Sequence, residues 1–488
     1  MNLVNFKINK NLSAISQTKF IKKYIDRTAN KKISTTQIIF LSRILQIPKD
    51  IIKFEFKKYL SLSYNFKLRK FNNNKYQIQI LKLKWLIVSS VSYYANLLVF
   101  ILFSKNIYFK KKIKLIYDEV FTEHELNRAE VFLKKIKSHK IISKVKSKKN
   151  SNIFDFPQFF GCSRQYLYKN FFNFFIIIPY FVFKTSLKDK INYFPFYNYA
   201  IKKTIRYETV FKKYRANVLI QERPYTTSAI KNYLFKKYGG KKTCCFQRIL
   251  FHIGNTSFYI NTDILFSLGK MSAKTLEITG TKIGKIVPLG SFMYYSKWIK
   301  SKKIKTKKYD IIFLGGNNVP SMAINEKYLK NYYLQLNWLR KISLENPKLK
   351  ILMKHHLNNK YHDPKELKIL EGTNIERITS NTLSDKFNNS YGYAINSKLR
   401  LSWCSTMGYE LLGHNYQCFF LDPNYENLEF FQNYSFNKKY RIKNFFEFKS
   451  KINEILVKNI KEKVSNPENY CFNSKDFLSK FIKYSKIN

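Results

Sequence analysis

Residues 399–423 read LRLSWCSTMGYELLGHNYQCFFLDP, two apolar runs separated by a short helical pattern. The runs LRLSWCS and YQCFFLDP are typical of buried strands, and TMGYELLGH has the length of a short helix that ends at Gly413. A strand, a helix and a second strand in this order form a β–α–β unit, whose strands are parallel. This stretch therefore predicts an α/β fold built on a parallel sheet.

The same alternation covers the rest of this half of the chain. We predict strands at YDIIFLGG, LKILMKHH and NIERIT, an amphipathic helix at EKYLKNYYLQLNWLRKIS, and a turn between YGYAINS and LRLSWCS. An earlier series predicts the strands KLIYDEV, KIISKV, ANVLIQE, KKTCCFQ, TDILFSLG and KIVPLGS. Between them lie the helical patterns EHELNRAEVFLKKI and TTSAIKNYLFKKY, the second closed by Gly239 and Gly240. Two series of β–α units predict two doubly wound parallel-sheet domains.

A polar, basic segment at residues 301–308 separates the two series and is a candidate linker. We therefore expect a first α/β domain over residues 105–304 and a second over residues 305–440. Residues 441–488 are expected to form a helical tail, and residues 1–104 a basic, helical N-terminal extension.

Composition narrows the class of protein further. The 488 residues are 45% hydrophobic and 17% aromatic, which excludes a disordered basic tail, and 14 Gly with 11 Pro exclude collagen-like and low-complexity chains. The six cysteines show no paired C-x-x-C spacing, so neither a zinc ribbon nor a disulfide framework is indicated. We expect reduced, mostly buried thiols and a cytoplasmic protein.

The charge is strongly basic, with 89 Lys and Arg against 31 Asp and Glu and a net charge of +58. It is uneven: +25 in residues 1–150, +23 in 151–309, only +2 in 310–430 and +8 in 431–488. Three explanations would account for an excess of this size: a nucleic-acid partner, an anionic membrane surface, or solvated lysines that reflect a coding bias. Because the second domain is nearly neutral, we favour a membrane surface or an anionic glycan as the partner of the first domain.

Two apolar runs bear on the membrane. Residues 85–104, WLIVSSVSYYANLLVFILFS, are long enough to span a bilayer, but serines, tyrosines and Asn96 dilute the run and both flanks are basic. We favour a buried or interfacial helix over a spanning one. The run at 171–183, FFNFFIIIPYFVF, is too short to span and is either a core segment or one that dips into a membrane surface. The expected location is cytoplasmic, with peripheral association at the inner membrane face.

In an open parallel sheet, ligands bind beyond the carboxyl ends of the strands, so the residues that follow each strand are candidate site residues. Small residues that allow close approach of a phosphate follow the strand DIIFL, namely Gly315, Gly316 and Asn317. An ordinary strand-to-helix turn has the same composition. A cation and two imidazoles follow the strand KILM, namely Lys354, His355 and His356, and suit a diphosphate or a leaving group that needs a proton.

Ser405 and Thr406 stand where the short helix of the opening stretch begins, so their hydroxyls and the free backbone N–H groups can hold a phosphate. Glu410 lies one turn further along and can accept hydrogen bonds from sugar or ribose hydroxyls. The alternative is a capped helix whose glutamate faces solvent.

The pattern S-T-x-G-x-E-x-L-G-x-x-x-x-x-x-F-x-D-P, at residues 405–423, resembles the nucleotide-sugar half of GT-B glycosyltransferases. It is most similar to the bacterial enzymes of surface and capsular polysaccharide synthesis, including polysialyltransferase-like and CDP-glycerol-transferase-like enzymes. The resemblance implies two Rossmann-like domains that face a cleft, an acceptor domain at 105–304 and a nucleotide-sugar domain at 305–440. It also implies a glycosyltransferase, or a related polyol-phosphate transferase, that acts in the cell envelope.

By the same resemblance, the donor phosphates lie between the K-x-H-type motif and the S-T pair, and Glu410 binds the donor sugar or ribose. The chain departs from the family pattern in three places. Leu357 stands where the family often has Pro after the histidine, Gln247-Arg248-Ile249 stands in place of Gln-His-Gly, and no Gly follows Asp118-Glu119.

The chemistry of glycosyl transfer needs a base for the acceptor hydroxyl and positive charge on the departing phosphate. Candidate bases are Glu222 and Asp118, carboxylates at strand ends, each of which can equally be a salt-bridged group. Lys354 and a histidine, His356 among them, would neutralise the leaving nucleotide. No D-x-D pair is present in the expected place, so no metal and no cofactor besides the nucleotide-sugar substrate is expected. Two alternatives remain: a basic nucleic-acid-binding protein, and a catalytically inactive glycosyltransferase-like subunit.

Overall fold

The computed structural model describes most of the 488-residue chain as two parallel sheets with helices around them. The described residues are 14–68, 79–109, 111–134, 136, 138–143, 153–154, 162–248, 258–291, 308–315, 326–355, 363–378, 390–403, 405–423, 438–460, 462–472 and 477–486.

Seven parallel strands form the first sheet. They are β2 (Lys111–Val120), β3 (His139–Ser143), β4 (Ile153–Phe154), β6 (Tyr214–Gln221), β7 (Lys242–Phe246), β8 (Asn261–Ser267) and β9 (Lys282–Pro288). Their order across the sheet is β4-β3-β2-β6-β7-β8-β9. The chain therefore starts in the middle, builds outward to β4, and returns to the other side of β2 to continue with β6.

Six parallel strands form the second sheet. They are β10 (Ile311–Leu314), β11 (Ile351–Lys354), β12 (Glu376–Ile378), β13 (Leu399–Ser402), β14 (Phe419–Leu421) and β15 (Arg441–Ile442). Their order is β12-β11-β10-β13-β14-β15, which is the doubly wound order of a Rossmann-like domain. Two sheets of this type confirm the predicted fold class. The second sheet reaches Ile442 and so extends beyond the expected boundary at residue 440.

Helices cover both sheets. With the first sheet are α5 (Glu123–Leu133), α6 (Arg164–Lys169), α7 (Ile178–Asp189), α8 (Phe194–Lys213) and α9 (Ala229–Lys237). With the second are α10 (Glu326–Glu345), α11 (Pro364–Leu370), α12 (Ser390–Asn396), α13 (Thr406–Gly413) and α14 (Phe445–Ile452). The segment YGYAINS therefore lies in a helix, α12, and LRLSWCS contains a strand that runs parallel to its neighbours.

The N-terminal region is helical, as expected, but it is not a separate layer. Its helices are α1 (Ala14–Asn30), α2 (Lys32–Leu45), α3 (Lys49–Leu68) and α4 (Leu83–Leu102). Buried side chains from α2, α3 and α4 belong to the same core cluster as Ile116 of β2 and Leu219 of β6. The helices that we expected as an extension are thus part of the core of the first domain, because their apolar faces are needed to cover its sheet.

A buried glutamate ties α3 to α9. The Glu55 Oε2 atom accepts hydrogen bonds from the Ser228 hydroxyl at 2.9 Å and from the Ala229 backbone N–H at 2.7 Å, where α9 begins. Burial by itself raises the pKa of Glu55, but the nearby Lys203 charge and the hydrogen bonds it accepts outweigh burial and lower the pKa. A carboxylate at a helix N-terminus also complements the helix dipole.

Helix α4 is the segment predicted as buried or interfacial. It is the one described helix that is long and apolar enough to cross a membrane, judged by length and composition alone, and 28% of its most apolar window is buried. A short antiparallel ribbon, β1 (Gln79–Ile80) with β5 (Ile191–Asn192), holds its N-terminal end beside the end of α7.

The last helix, α15 (Phe477–Ser485), returns to the first sheet. Its Phe477 and Phe481 rings pack with Phe132, Phe246 and Phe266 in the core under that sheet. Just before it, the Phe472 backbone N–H donates to the Leu268 carbonyl oxygen at 2.7 Å. The expected helical tail therefore crosses from the second domain to the first and fastens the two together.

The described cysteines are buried, as the sequence predicts. Of the six, the five described ones are buried and free of disulfides, namely Cys162, Cys244, Cys245, Cys418 and Cys471. Burial raises the pKa of the Cys162, Cys245 and Cys418 thiols to about 12, so these side chains are neutral and unreactive near neutral pH.

Replacing Phe481 tests the role of the final helix. Phe481→Ala removes a fully buried ring from a cluster of aromatic rings, and we expect the free energy of unfolding to fall by about 3–5 kcal/mol. Denaturant unfolding followed by circular dichroism measures the change. Phe446→Ala is the control, because that ring is 82% exposed on α14 and its loss should cost no more than about 0.5 kcal/mol. Equal stabilities of the two variants would contradict the packing described.

Candidate functional site

Each sheet has one point where the strand order reverses, and several of the predicted site residues that the structure describes lie near these points. In the first sheet this point is between β2 and β6, where Asp118 of β2 is opposite Gln221, the last residue of β6. In the second it is between β10 and β13, where Leu314 is opposite Ser402. Loops leave such neighbouring strands in opposite directions and open a crevice in which ligands of doubly wound folds bind.

At the second sheet, the ends of neighbouring strands bring Gly315, Lys354 and His355 together. Leu314 of β10 pairs with Lys354 of β11 on one side and with Ser402 of β13 on the other. The Gly315 backbone N–H donates to the Lys354 carbonyl oxygen at 3.1 Å. Lys354 and His355 are both 2% exposed, so a cation and an imidazole are buried at this edge.

A network behind His355 holds its ring. The Nε2 atom of His355 lies 2.8 Å from Glu366 Oε1, and the Glu366 carboxylate also accepts from the Tyr332 hydroxyl at 2.7 Å and from Arg377. Burial alone raises the pKa of Glu366, but the hydrogen bond from His355 and the charges of His355 and Arg377 outweigh it and lower the pKa. An ionised Glu366 accepts from the Nε2–H group and so fixes the orientation of the imidazole.

The other ring nitrogen of His355 is available at the strand edge. Within the part of the chain that the structure describes, its buried Nδ1 atom has no hydrogen-bond partner. A Cβ atom on Gly315 would lie 3.2 Å from Nδ1, so a larger residue there would crowd this nitrogen. Glycine at 315 keeps the approach to Nδ1 open, as a site for a phosphate or a departing oxygen requires.

Ser405 and Thr406 lie at the start of α13, as predicted. The Ser405 side chain caps the helix by accepting from the Met407 backbone N–H at 3.2 Å, and its own N–H donates to the Ser402 hydroxyl at 3.1 Å. Both residues are half-buried. The helix N-terminus and two hydroxyls therefore stand at the carboxyl end of β13, next to the end of β10.

Glu410 is buried rather than exposed to solvent, which excludes the alternative of a solvent-facing glutamate. Its side chain accepts hydrogen bonds from the hydroxyls of Ser291 and Tyr391, and it is 2% exposed. Ser291 follows β9 of the first domain, so this contact joins the two domains. In this structure hydroxyl groups of the protein occupy the positions that sugar or ribose hydroxyls were expected to take.

At the first sheet, Asp118 is fully buried in a set of ion pairs. Its Oδ2 atom accepts from the Tyr207 hydroxyl at 2.7 Å and from Lys231 Nζ at 3.0 Å, and Lys231 also donates to Glu119 at 2.9 Å. Burial by itself raises the pKa of Asp118, but the charges of Lys231 and Arg206 outweigh it and lower the pKa. A carboxylate held in this way is a weaker base than an ordinary aspartate.

Glu222 lies beside Asp118, with its backbone N–H 3.4 Å from the Asp118 carbonyl oxygen. Its carboxylate is 3.1 Å from Arg248 Nη1, which also donates to Glu125 at 2.9 Å. Arg223 pairs with Glu125 as well. Both predicted bases are thus buried and ion-paired at one strand edge, and their role as bases stays a prediction.

Three predicted site residues, Gly316, Asn317 and His356, lie outside the described residues. In the described ranges, no group of three or more His, Cys, Asp or Glu side chains could hold a metal ion. The structure adds residues that the sequence analysis missed: Glu366, Arg377 and Tyr332 around His355, and Lys231 between Asp118 and Glu119. One signal was visible for Glu366, because Asp363-Pro364 marks a helix start that places it in the first turn.

Comparisons with known proteins give structural similarities of low identity over 77–83% of this chain. No protein-family model matches the chain, and no curated protein matches its sequence. Among solved structures it is similar to UDP-GlcNAc 2-epimerase from Methanocaldococcus jannaschii, with 14% identity and a TM-score of 0.43 over 77% of this chain and 100% of that one. It is similar to the wall teichoic acid polymerase TagF soaked with CDPG, with 11% identity and a TM-score of 0.42 over 83% and 98%. A trehalose-phosphate synthase from Burkholderia vietnamiensis has 8% identity and a TM-score of 0.41 over 77% and 98%.

The ion pairs of Glu125 predict a loss of stability in acid. Burial raises the pKa of Glu125, but hydrogen bonds from Arg223, the Phe121 backbone and Arg248 outweigh it and lower the pKa from 4.5 to about 2. A lowered folded-state pKa stabilises the fold above the unfolded value, and this contribution is lost as the pH falls from 4.5 through about 2. We expect the free energy of unfolding of the wild type to exceed that of Glu125→Gln by at most about 3 kcal/mol near pH 6. The difference is no larger because solvent screens the charges of the partly exposed arginines.

Denaturant unfolding at a series of pH values measures that difference. It should shrink steadily below pH 4.5 and vanish near pH 2. Glu371→Gln, at an exposed position, is the matched control and should change stability little at any pH. A difference in the free energy of unfolding between wild type and Glu125→Gln that does not depend on pH would contradict the lowered pKa of Glu125.

Proposed function

We propose that this protein is a glycosyltransferase, or a related polyol-phosphate transferase, that uses a nucleotide-activated donor. The observation that carries the proposal is the edge of the second sheet, where Lys354, His355 and the N-terminus of α13 converge beside Gly315. Buried positive and hydrogen-bonding groups around a glycine suit a diphosphate better than a neutral ligand. The near-neutral charge of residues 310–430 is consistent with a domain that binds one small anion rather than a polyanion.

In the proposed reaction, the acceptor hydroxyl oxygen forms a bond to the donor carbon or phosphorus atom. The bond from that atom to the nucleotide phosphate oxygen breaks, and its electron pair leaves with the nucleotide. The proton of the acceptor passes to a base, for which Glu222 and Asp118 remain the candidates. Lys354, His355 or His356, Ser405 and Thr406 would stabilise the charge on the departing phosphate.

Asp118 and Glu222 lie in the first domain, so that domain would hold the acceptor. Residues 1–309 carry most of the positive charge, which suits an anionic glycan or an acceptor carried by a lipid at the inner membrane face. Glu410 would bind a sugar or ribose hydroxyl by exchanging its contact with Ser291 or Tyr391. Such an exchange would couple donor binding to the contact between the domains.

A thermal-shift screen of the full chain against nucleotides and nucleotide sugars tests the proposal. We expect one nucleoside diphosphate and its sugar or polyol derivatives to raise the Tm. In His355→Ala the Kd for that nucleotide should rise by roughly ten- to a hundredfold, because a buried charge-assisted hydrogen bond is lost. His139→Ala is the matched control, since His139 is a half-buried histidine at the start of β3 in the other sheet.

Three outcomes would count against the proposal. If no activated donor raises the Tm, the inactive-subunit alternative is favoured. If His355→Ala and His139→Ala bind the nucleotide equally well, the donor site is elsewhere. Tight, salt-sensitive binding of nucleic acid with no nucleotide binding would favour the alternative of a nucleic-acid-binding protein.

A further inference from the structure

Helix α4 presents an exposed apolar row although its other side is in the core. The exposed side chains recur every three or four residues and so lie along one side of the helix. They are between 37% and 78% exposed, namely Leu83, Ile87, Val91, Tyr94, Leu98 and Leu102. No charged residue occurs between positions 85 and 104. A row of this length on a 20-residue helix is about 30 Å long.

A second exposed row follows the segment from α6 through the π-helical turn Asn173–Ile177 to α7. It also recurs every three or four residues. Its members are between 46% and 68% exposed, namely Tyr168, Phe172, Ile176, Tyr180, Phe183 and Leu187. Two separate parts of the sequence therefore leave large apolar side chains in solvent, which is unusual on a soluble surface.

The two rows lie side by side. The Tyr93 hydroxyl donates to the Phe174 carbonyl oxygen at 2.8 Å, and the Tyr94 hydroxyl to the Phe175 carbonyl oxygen at 3.2 Å. The Phe175 ring contacts the Tyr94 ring on one side and stacks on the Phe171 ring on the other. Aromatic rings thus join the rows into one surface, which we name the two-helix apolar face.

The segments run in opposite directions. At one end the Leu81 backbone N–H donates to the Lys190 carbonyl oxygen at 2.9 Å, and at the other Lys105 forms a bridge with Ser163. Exposed lysines therefore flank the face at both ends. Lys82, Lys84, Lys188 and Lys190 stand at one end, and Lys105 and Lys169 at the other. One carboxylate, Asp189, is near, and it accepts from the Tyr193 hydroxyl at 3.2 Å.

The opposite side of α4 is fixed to the protein. Leu86, Tyr93, Leu97 and Phe100 are buried in the first core cluster. The Asn192 side-chain amide donates to the Trp85 carbonyl oxygen at 3.1 Å and to the Ser89 hydroxyl at 2.7 Å. A spanning orientation would have to break these contacts, so α4 is suited to lie in a membrane surface rather than to cross it.

We infer that the two-helix apolar face docks in the plane of an anionic lipid bilayer, with its side chains at the boundary between headgroups and acyl chains. The rows supply apolar and aromatic contact, and the lysines at the two ends reach the anionic headgroups. Binding of single-stranded nucleic acid would need basic residues interleaved with the aromatic ones along the face. Here Lys184, whose ammonium group lies over the Tyr180 ring, is the one basic residue between positions 170 and 187, and the other lysines stand at the two ends. The inference rests on the proposed function in one respect only: docking would bring the enzyme to a lipid-linked acceptor.

Cosedimentation with vesicles tests the docking face without requiring activity. We expect the full chain to bind vesicles of phosphatidylcholine mixed with phosphatidylglycerol more tightly than vesicles of phosphatidylcholine alone. The double variant Leu98→Glu, Phe172→Glu should lower the partition coefficient at least tenfold, because it places carboxylates in both rows. The matched control is Leu344→Glu, Phe446→Glu, which changes exposed apolar residues of α10 and α14 and should bind like wild type.

Three results would overturn the inference: no binding of the wild type to either vesicle, equal loss in the two double variants, or bound protein that does not exchange onto added vesicles, as a spanning helix would give. Sedimentation equilibrium without lipid tests the other possible occupant of the face, a second copy of the chain. A dimer that only the Leu98→Glu, Phe172→Glu variant loses, with no vesicle binding, would assign the face to a second copy of the chain. Circular dichroism and the nucleotide-induced Tm shift show whether each variant is folded, so loss of docking is distinguishable from failure of the proposed donor site.

Discussion

The constraint on which the structure depends is that both sheets are parallel and covered by helices. Strands such as β10 and β11 are buried along their whole length, so a polar side chain can be placed only where a strand ends. The strand order reverses at β2/β6 and at β10/β13, and at these two points the ends of neighbouring strands are left open. This one constraint explains the positions of Asp118, Glu222, Gly315, His355 and Ser405.

The two edges satisfy their buried polar groups differently. At the first, Lys231 lies between Asp118 and Glu119, so the charges neutralise one another inside the protein. Breaking such a pair is costly, which makes this edge a rigid wall. At the second, Glu366 holds one nitrogen of His355 and leaves the other facing the space beside Gly315. A ligand would complete the second edge, whereas at the first it would have to compete with existing ion pairs. Ser291 of the first domain contacts Glu410 of the second, and α15 packs in the core under the first sheet. These contacts connect the two edges.

Local pattern was enough to predict the strands and the residues at their ends, because an apolar run bounded by Gly or a polar cluster has few other interpretations. It was not enough for contacts between distant residues. Nothing in the neighbourhood of Glu55 shows that it caps α9, and nothing near Lys231 shows that its ammonium group is buried between two carboxylates. The N-terminal helices were expected as an extension for the same reason: their apolar faces fit any core, and only the tertiary structure shows that they cover β2 and β6. The exposed rows of α4 and α7 likewise resemble core segments in sequence, since pattern alone does not tell which apolar face is buried.

In the proposed function, a nucleotide-activated donor binds at the carboxyl edge of the second sheet. The most direct measurement is a crystal structure of the full chain with the nucleoside diphosphate that binds it most tightly. We expect diphosphate density beside Gly315, within hydrogen-bonding distance of His355 Nδ1 and the start of α13. Nucleotide bound instead at the edge formed by Asp118 and Glu222, or on the exposed face of α4, would contradict it.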